Sequence, residues 1–223
     1  RKDGLYQKWD STGYLWVEAF YKNGLRDSTF TYYYPSGIIA ELIHYKNNLK
    51  EGLYSYWSKK GDLEKEIHYF RGDRHGLYRE WYNNGTIKKG IHYAGGQFEG
   101  LYRTLYRNGQ KQKELYYKNG IPDGNVFLWD NQGNPTEKMQ YRNGKRNGDH
   151  LIWDIKGRLM KQTVYKNDKK NGLYKSFYNS SKPHVSIEYM DDQYHGSYKL
   201  WDKNGRLVNL MRYSLGKCIR GCE

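Results

Sequence analysis

The chain has 223 residues, a formal net charge of +14 and a mean hydropathy of −1.08, so aliphatic side chains are too scarce for an ordinary two-layer core. No apolar run approaches the roughly 18 residues that a membrane-spanning helix needs. Low hydropathy with high charge is typical of disorder, but 25 Tyr and 7 Trp can bury a large area, so the composition predicts a fold packed with rings.

A repeat of 24 residues runs along the sequence with no insertion or deletion. We call its first position, which is glycine in all but one unit, position 0. The units start at Gly4, Ser28, Gly52, Gly76, Gly100, Gly124, Gly148, Gly172 and Gly196. We predict one continuous array over residues 1–223 with a tail at 217–223, and Arg1, Lys2 and Asp3 match the end of a preceding unit, as if the array extended upstream.

Two positions of the repeat are reserved for rings. Position 5 is Trp in six units and Tyr33, Leu105 or Phe177 in the others. Position 17 is tyrosine in every unit, namely Tyr21, Tyr45, Tyr69, Tyr93, Tyr117, Tyr141, Tyr165, Tyr189 and Tyr213. We expect rings of successive units to contact one another in ladders.

Two further positions predict turns. Position 9 is Gly in all units except for Ser181, and position 20 is Gly, Asn or Asp throughout, residues that tolerate a positive φ. Asn-Gly at positions 19 and 20, as in Asn23-Gly24, is a strong hairpin signal. The segment before Tyr alternates with apolar residues at positions 11, 15 and 17, whereas GLYxxW places Leu and Trp on one face and Tyr on the other, which suggests a bulge near position 0 or rings on both faces.

Each unit therefore reads as one β-hairpin. We predict an all-β fold, an elongated single-layer antiparallel meander of nine 24-residue hairpins, in which each repeat advances about 10 Å because strands lie about 4.8 Å apart.

The unit GLYxxWYxNG with YxNG following resembles the MORN repeat, most closely the variant in YwqK-like bacterial antitoxin proteins, and similar arrays occur in giant viruses. The resemblance implies a non-enzymatic scaffold that acts by protein–protein interaction, as an antitoxin or immunity partner or as a structural component of an assembly such as a virion. It implies no cofactor and no catalytic residue, and it favours a cytoplasmic or virion-associated location over secretion. Trp-Asp pairs evoke WD40 propellers, but those need about 40 to 45 residues per blade, and choline-binding repeats run shorter.

Two candidate binding surfaces follow from the repeat. Tyr and Trp are favoured at interface hot spots, so rings at positions 2 and 5 form the predicted partner surface. These rings are Tyr6, Trp9, Tyr54, Trp57, Tyr78, Trp81, Tyr102, Tyr174, Tyr198 and Trp201.

Basic residues cluster near the position-20 turn and predict an edge for an acidic protein, an anionic membrane surface or nucleic acid. They are Lys22, Arg26, Lys46, Lys50, Arg71, Arg74, Lys118, Arg142, Lys145, Arg146, Lys166, Lys169 and Lys170. The alternative is a solvated edge that keeps the sheet from aggregating.

No metal site is predicted. His44, His68 and His92 recur one repeat apart, about 10 Å by strand spacing, which is too far to share an ion. Cys218 and Cys222 favour free thiols, with a terminal disulfide as the second interpretation.

Overall fold

A computed structural model describes residues 2–222, and Arg1, where the expected partial upstream unit begins, lies outside the described residues. Within that range the chain forms 21 β-strands and no helix. No helix capable of crossing a bilayer is therefore found in this part of the chain.

The strands follow the repeat closely. The first ten are β1 (Gly4–Trp9), β2 (Leu15–Lys22), β3 (Leu25–Tyr33), β4 (Ile39–Lys46), β5 (Leu49–Trp57), β6 (Leu63–Phe70), β7 (Asp73–Trp81), β8 (Ile87–Ala94), β9 (Gln97–Phe98) and β10 (Gly100–Leu105). The others are β11 (Lys111–Lys118), β12 (Ile121–Trp129), β13 (Pro135–Arg142), β14 (Lys145–Arg146), β15 (Gly148–Trp153), β16 (Leu159–Lys166), β17 (Lys169–Phe177), β18 (Pro183–Met190), β19 (Gln193–Trp201), β20 (Leu207–Ser214) and β21 (Lys217–Arg220).

The chain divides into two compact units, here called the first unit and the second unit, each of which contains several of the 24-residue repeat units. The first comprises Arg1–Gln110 with Lys118–Gly120, and the second Lys111–Tyr117 with Ile121–Glu223. Within each unit the paired strands are antiparallel, and most are consecutive in the chain, from β1 with β2 to β7 with β8 and from β15 with β16 to β20 with β21. In addition, β8 pairs with β10 beyond the two-residue strand β9, and β13 pairs with β15 beyond the two-residue strand β14. The predicted all-β antiparallel meander is confirmed, whereas continuity of one array along the whole chain stays a prediction.

Position 0 is where each hairpin departs from a regular ladder. All nine residues there have a positive φ, and Ser28 adopts φ 65° like the glycines. The register jumps at this point, since Ala19 pairs with Phe30 but Tyr21 pairs with Arg26, so the second strand bulges. The bulge that GLYxxW suggested is therefore present.

The same residue lies opposite the invariant tyrosine. Position 0 pairs with position 17 of its own unit, as in Gly4 with Tyr21, Gly52 with Tyr69 and Gly196 with Tyr213. A Cβ at position 0 would point toward position 16 of the preceding unit, as at Gly76, where it would lie 3.4 Å from the Cβ of His68, so glycine is favoured there by the positive φ and not by the tyrosine ring.

The hairpin turns also bond to the preceding unit. Positions 19 and 20 both have positive φ in every unit, as in Asn23 (54°) and Gly24 (81°), which defines type I′ turns. The position-20 N–H donates to the position-22 carbonyl one unit earlier, for example from Gly72 to Lys50 at 2.9 Å and from Gly216 to Tyr194 at 2.8 Å. The turn predicted at position 20 is thus confirmed, and so is the turn at position 9, where every unit has a positive φ, as in Gly13 (89°) and Ser181 (64°).

The turns at the other end of each hairpin, around position 9, are stabilised by the side chain at position 6 in two ways. Where it is Asp, the carboxylate accepts backbone N–H groups of its own turn, as Asp10 does from Thr12 at 2.8 Å. Where it is Tyr, the hydroxyl donates to a carbonyl one unit later, as Tyr178 does to Trp201 at 2.8 Å. The Asp of each recurring Trp-Asp pair therefore serves to stabilise a turn.

In each unit the buried core residues lie mainly at positions 2 and 15, which pair across neighbouring strands. Those in the first unit are Ala19, Phe30, Ile43, Ile67, Tyr78 and Ile91, each no more than 7% exposed. Tyrosines of position 17 pack beside them, and Tyr45 and Tyr93 are themselves buried.

Two sequence interpretations need correction. Position 11 does not share a face with positions 15 and 17, because a second register shift pairs it with position 5, as in Trp9 with Leu15. Free thiols were also the wrong preference, since Cys218 and Cys222 form a disulfide.

Candidate binding surfaces

The sheet of each unit has two chemically different faces. The tyrosine face carries positions 2, 15, 17 and 22, and the tryptophan face carries positions 1, 3, 5 and 16, because side chains alternate along a strand. Phe127 at position 3 stacks on Trp129 at position 5, with ring centroids 5.7 Å apart, as expected for residues on one face.

Rings of successive hairpins meet along the tyrosine face. The centroids of Tyr21 and Phe30 are 5.3 Å apart, and those of Phe30 and Tyr45 are 5.1 Å apart, both in edge-on geometry. In the second unit Tyr189 meets Tyr194 at 5.2 Å. The predicted ring ladder is confirmed at these contacts.

A cation at position 22 covers the tyrosine ring of the next unit. The charged group of Arg26 lies 4.5 Å from the ring centroid of Tyr45, and that of Arg146 lies 4.2 Å from Tyr165. Lys50, Arg74 and Lys170 repeat the arrangement over Tyr69, Tyr93 and Tyr189. Such contacts are attractive because the ring face is electron-rich.

The predicted basic edge therefore divides into two sets. The ring-covering set is Arg26, Lys50, Arg74, Arg146 and Lys170. The turn set consists of exposed residues in or beside the type I′ turns, namely Lys22, Lys46, Arg71, Lys118, Arg142, Lys145, Lys166 and Lys169. The turn set remains available for a polyanion.

Burial changes the electrostatics of the tyrosine face. It raises the pKa of the Tyr54 hydroxyl above its ordinary value, and the neighbouring Glu41 carboxylate adds to that rise. Burial likewise raises the pKa of Tyr78, which donates a hydrogen bond to Glu80. These hydroxyls stay neutral donors, and the face is built mainly as a core.

The predicted aromatic residues do not form one surface. Tyr6, Tyr54, Tyr78, Tyr102, Tyr174 and Tyr198 occupy position 2 on the tyrosine face, whereas Trp9, Trp57, Trp81 and Trp201 occupy position 5 on the other face. Tyr78 is only 7% exposed, but Trp9 is 53% exposed. The other members of both sets are half-buried, so accessibility does not separate the tyrosines from the tryptophans as sets. Exposed aliphatic residues such as Leu5 and Leu77 make the tryptophan face the more accessible of the two faces.

An open apolar groove of about 310 Å³ lies on the tryptophan face of the first unit. Its apolar lining includes Leu77, Ile87, Leu101 and Leu105, and Leu77 is 41% exposed. The sequence did not predict these aliphatic residues as part of a binding surface, because only aromatic side chains were considered as candidates, although position 1 is aliphatic in most units.

The histidine row lies on the same face. His44 bonds through Nδ1 to the carbonyl of Leu53 at 2.6 Å, and His68 and His92 are exposed. Across residues 2–222, no group of three or more His, Cys, Asp or Glu side chains is arranged to hold a metal ion.

These features define a class: a repeat protein built from stacked β-hairpins with a ring-packed face and an open face. Four segments, residues 2–23, 26–47, 74–94 and 98–119, match the MORN repeat variant family. These four segments are MORN repeats of the variant type, as the sequence resemblance implied. Repeats of this family generally serve as binding or scaffold modules and are generally non-enzymatic.

Other comparisons add little. No match was found among curated proteins. The crystal structure of TcdB2-TccC3 is 11% identical with a TM-score of 0.22, and the chain aligns over 96% of its own length but 15% of that chain. The TcdB2-TccC3 structure without its hypervariable C-terminal region is 12% identical with a TM-score of 0.25, over 93% and 13%. Similarities this weak carry no argument about fold or function.

Proposed function

We propose that this protein is a non-enzymatic scaffold that binds a protein partner on the tryptophan face of its first unit. The observation that supports this is the open groove there, where Leu77 and Ile87 remain 41% and 39% exposed although the opposite face carries the buried core clusters. Exposed apolar surface rimmed by polar groups is typical of interaction sites.

The partner could play either of two roles that the family resemblance implies. In one role the protein is an antitoxin or immunity partner of a toxin, and in the other it is a structural component of an assembly such as a virion. Both roles use the same groove, so the identity of the partner distinguishes them.

Site-specific photo-crosslinking tests the proposal. A photoreactive side chain at Leu77 should capture one protein in fixed stoichiometry, and the complex should survive about 0.5 M NaCl, where surface charges are strongly screened. The matched control places the same group at Leu49, which is 50% exposed in the same unit but lies beside a turn. Equal capture at both positions, or none at either, would contradict the proposal.

A second candidate is polyanion binding through the turn set. Those side chains are exposed beside turns that recur once per repeat, so they present positive charge at intervals of about 10 Å. Binding of this kind should be lost as salt rises.

A further inference from the structure

Gly90 differs from every other glycine in residues 2–222. It is the one glycine there without a positive φ, and it lies within β8 at position 14 of the repeat. A Cβ built on it meets nothing within 4 Å, so neither backbone conformation nor lack of space requires glycine. Glycine inside a strand often marks close approach of a ligand or another chain.

Position 14 carries a larger side chain in every other unit. Those residues are Glu18, Leu42, Glu66, Glu114, Lys138, Gln162, Ser186 and Leu210. Gly90 lines the groove on the tryptophan face, and its lack of a side chain leaves a gap in the floor of that groove.

Two arginines flank this gap. Arg79 pairs with Gly90 across one side of β8, and Arg103 pairs with it across the other side. Both guanidinium side chains line the groove, together with the aliphatic residues already described. The gap is therefore cationic at its sides and apolar at its ends.

The first repeat shows what chemistry fits this arrangement. There Gln7, at the repeat position of Arg79, donates to the carboxylate of Glu18 at the position of Gly90, with Nε2 and Oε2 2.8 Å apart. A carboxylate at position 14 thus lies within reach of a donor at position 3.

We propose that the groove above Gly90 receives an Asp or Glu side chain of the partner protein, adjacent to a large apolar side chain, with Arg79 and Arg103 donating to the carboxylate. Arg79 also has Glu66 as its cross-strand neighbour on the far side, and Arg103 likewise has a partner of its own, but a guanidinium has enough N–H donors to serve a second acceptor. The inference rests on the proposed function, because it names the chemistry that the partner supplies. Apolar walls fit a protein side chain better than a phosphate backbone.

A pair of synthetic peptides tests this chemistry. Acetyl-Ser-Leu-Glu-Phe-Ser-amide should shift the guanidinium NMR signals of Arg79 and Arg103 and bind at least about tenfold more tightly than the same peptide with Gln in place of Glu, because charge-assisted hydrogen bonds are the stronger ones. Equal affinities, no binding, or shifts confined to other residues would overturn the inference.

Substitutions at position 14 of the repeat test whether the Glu peptide binds at Gly90. Gly90→Glu should abolish binding of the Glu peptide, because it places a carboxylate between the arginines in the protein itself. Leu42→Glu is the matched control: it introduces the same side chain at the same repeat position, between Thr31 and Ser55, and should leave binding unchanged. Binding that survives Gly90→Glu would overturn the inference.

If circular dichroism shows that Gly90→Glu does not fold, Arg79→Gln replaces it as the test variant. Arg79→Gln should lower the affinity for the Glu peptide about tenfold and leave the affinity for the Gln peptide unchanged. The peptides do not require the natural partner. Crosslinking at Leu77 without a preference for Glu would therefore reject this inference alone, and a preference for Glu without crosslinking would reject the proposed partner alone.

Discussion

At the scale of single residues, the left-handed backbone at position 0 is the strictest demand of the repeat. Ser28 meets it at φ 65° without being glycine. Replacing Ser28 with Gly should raise the free energy of unfolding by about 1 kcal/mol, because an L-residue in this region is strained. Urea titration measures the change.

The control for that prediction is Ser186→Gly, in strand β18 and outside the positive-φ residues. It should lower stability by about 0.5 to 1 kcal/mol, because glycine loses more backbone entropy on folding. Changes of the same sign in both variants would refute the strain at Ser28.

Buried tyrosine hydroxyls predict the response to alkali. Burial raises the pKa of Tyr54 in the folded protein, so its contribution to stability is fully present below the unfolded pKa of about 10 and is lost as pH rises through the folded value. The free energy of unfolding should therefore begin to fall at about pH 10 and continue to fall at higher pH. Tyr54→Phe should show a smaller fall, and an identical fall would count against this account.

At the scale of elements, the position-6 tyrosines join each turn to the next hairpin. Tyr178→Phe removes the hydrogen bond to the carbonyl of Trp201 and should cost about 1 kcal/mol. Tyr116→Phe changes a ring that is 51% exposed and should cost less than about 0.5 kcal/mol. Chemical denaturation of both variants makes the comparison, and equal costs would show that the hydroxyl contact stabilises nothing.

How far the elements could be predicted depends on what a repeat encodes locally. Turns followed directly from Gly, Asn and Asp at positions 9 and 20, since positive φ is a local demand. The face of position 11 did not follow, because a register shift lies between it and position 15, and alternation cannot be counted across a bulge.

The candidate site was predicted only in part, for a similar reason. Residue type identified rings such as Trp9 and basic turn residues such as Lys22, but not that Arg26 covers Tyr45, because that contact joins different strands. Gly90 was visible in the sequence as a glycine at a strand position. Its meaning depended on Arg79 and Arg103 lying opposite, which register alone reveals.

At the scale of the whole molecule, the +14 charge is used in two ways. Changing Lys22, Lys46, Lys118, Arg142 and Lys166 to Gln should lower the NaCl concentration that elutes the protein from heparin, without a loss of stability. Changing the ring-covering set to Gln should instead lower the melting temperature, because each cation–π contact contributes about 0.5 to 1 kcal/mol. Identical elution of the turn variant and the unchanged protein would exclude the turn set as a polyanion site.

The hydrogen bond from each position-20 N–H to position 22 has a direction, since the acceptor always belongs to the unit that precedes the donor. During synthesis that acceptor has already left the ribosome when its donor emerges. Each new hairpin can therefore bond to a repeat that has already been synthesised, and folding can proceed repeat by repeat during translation.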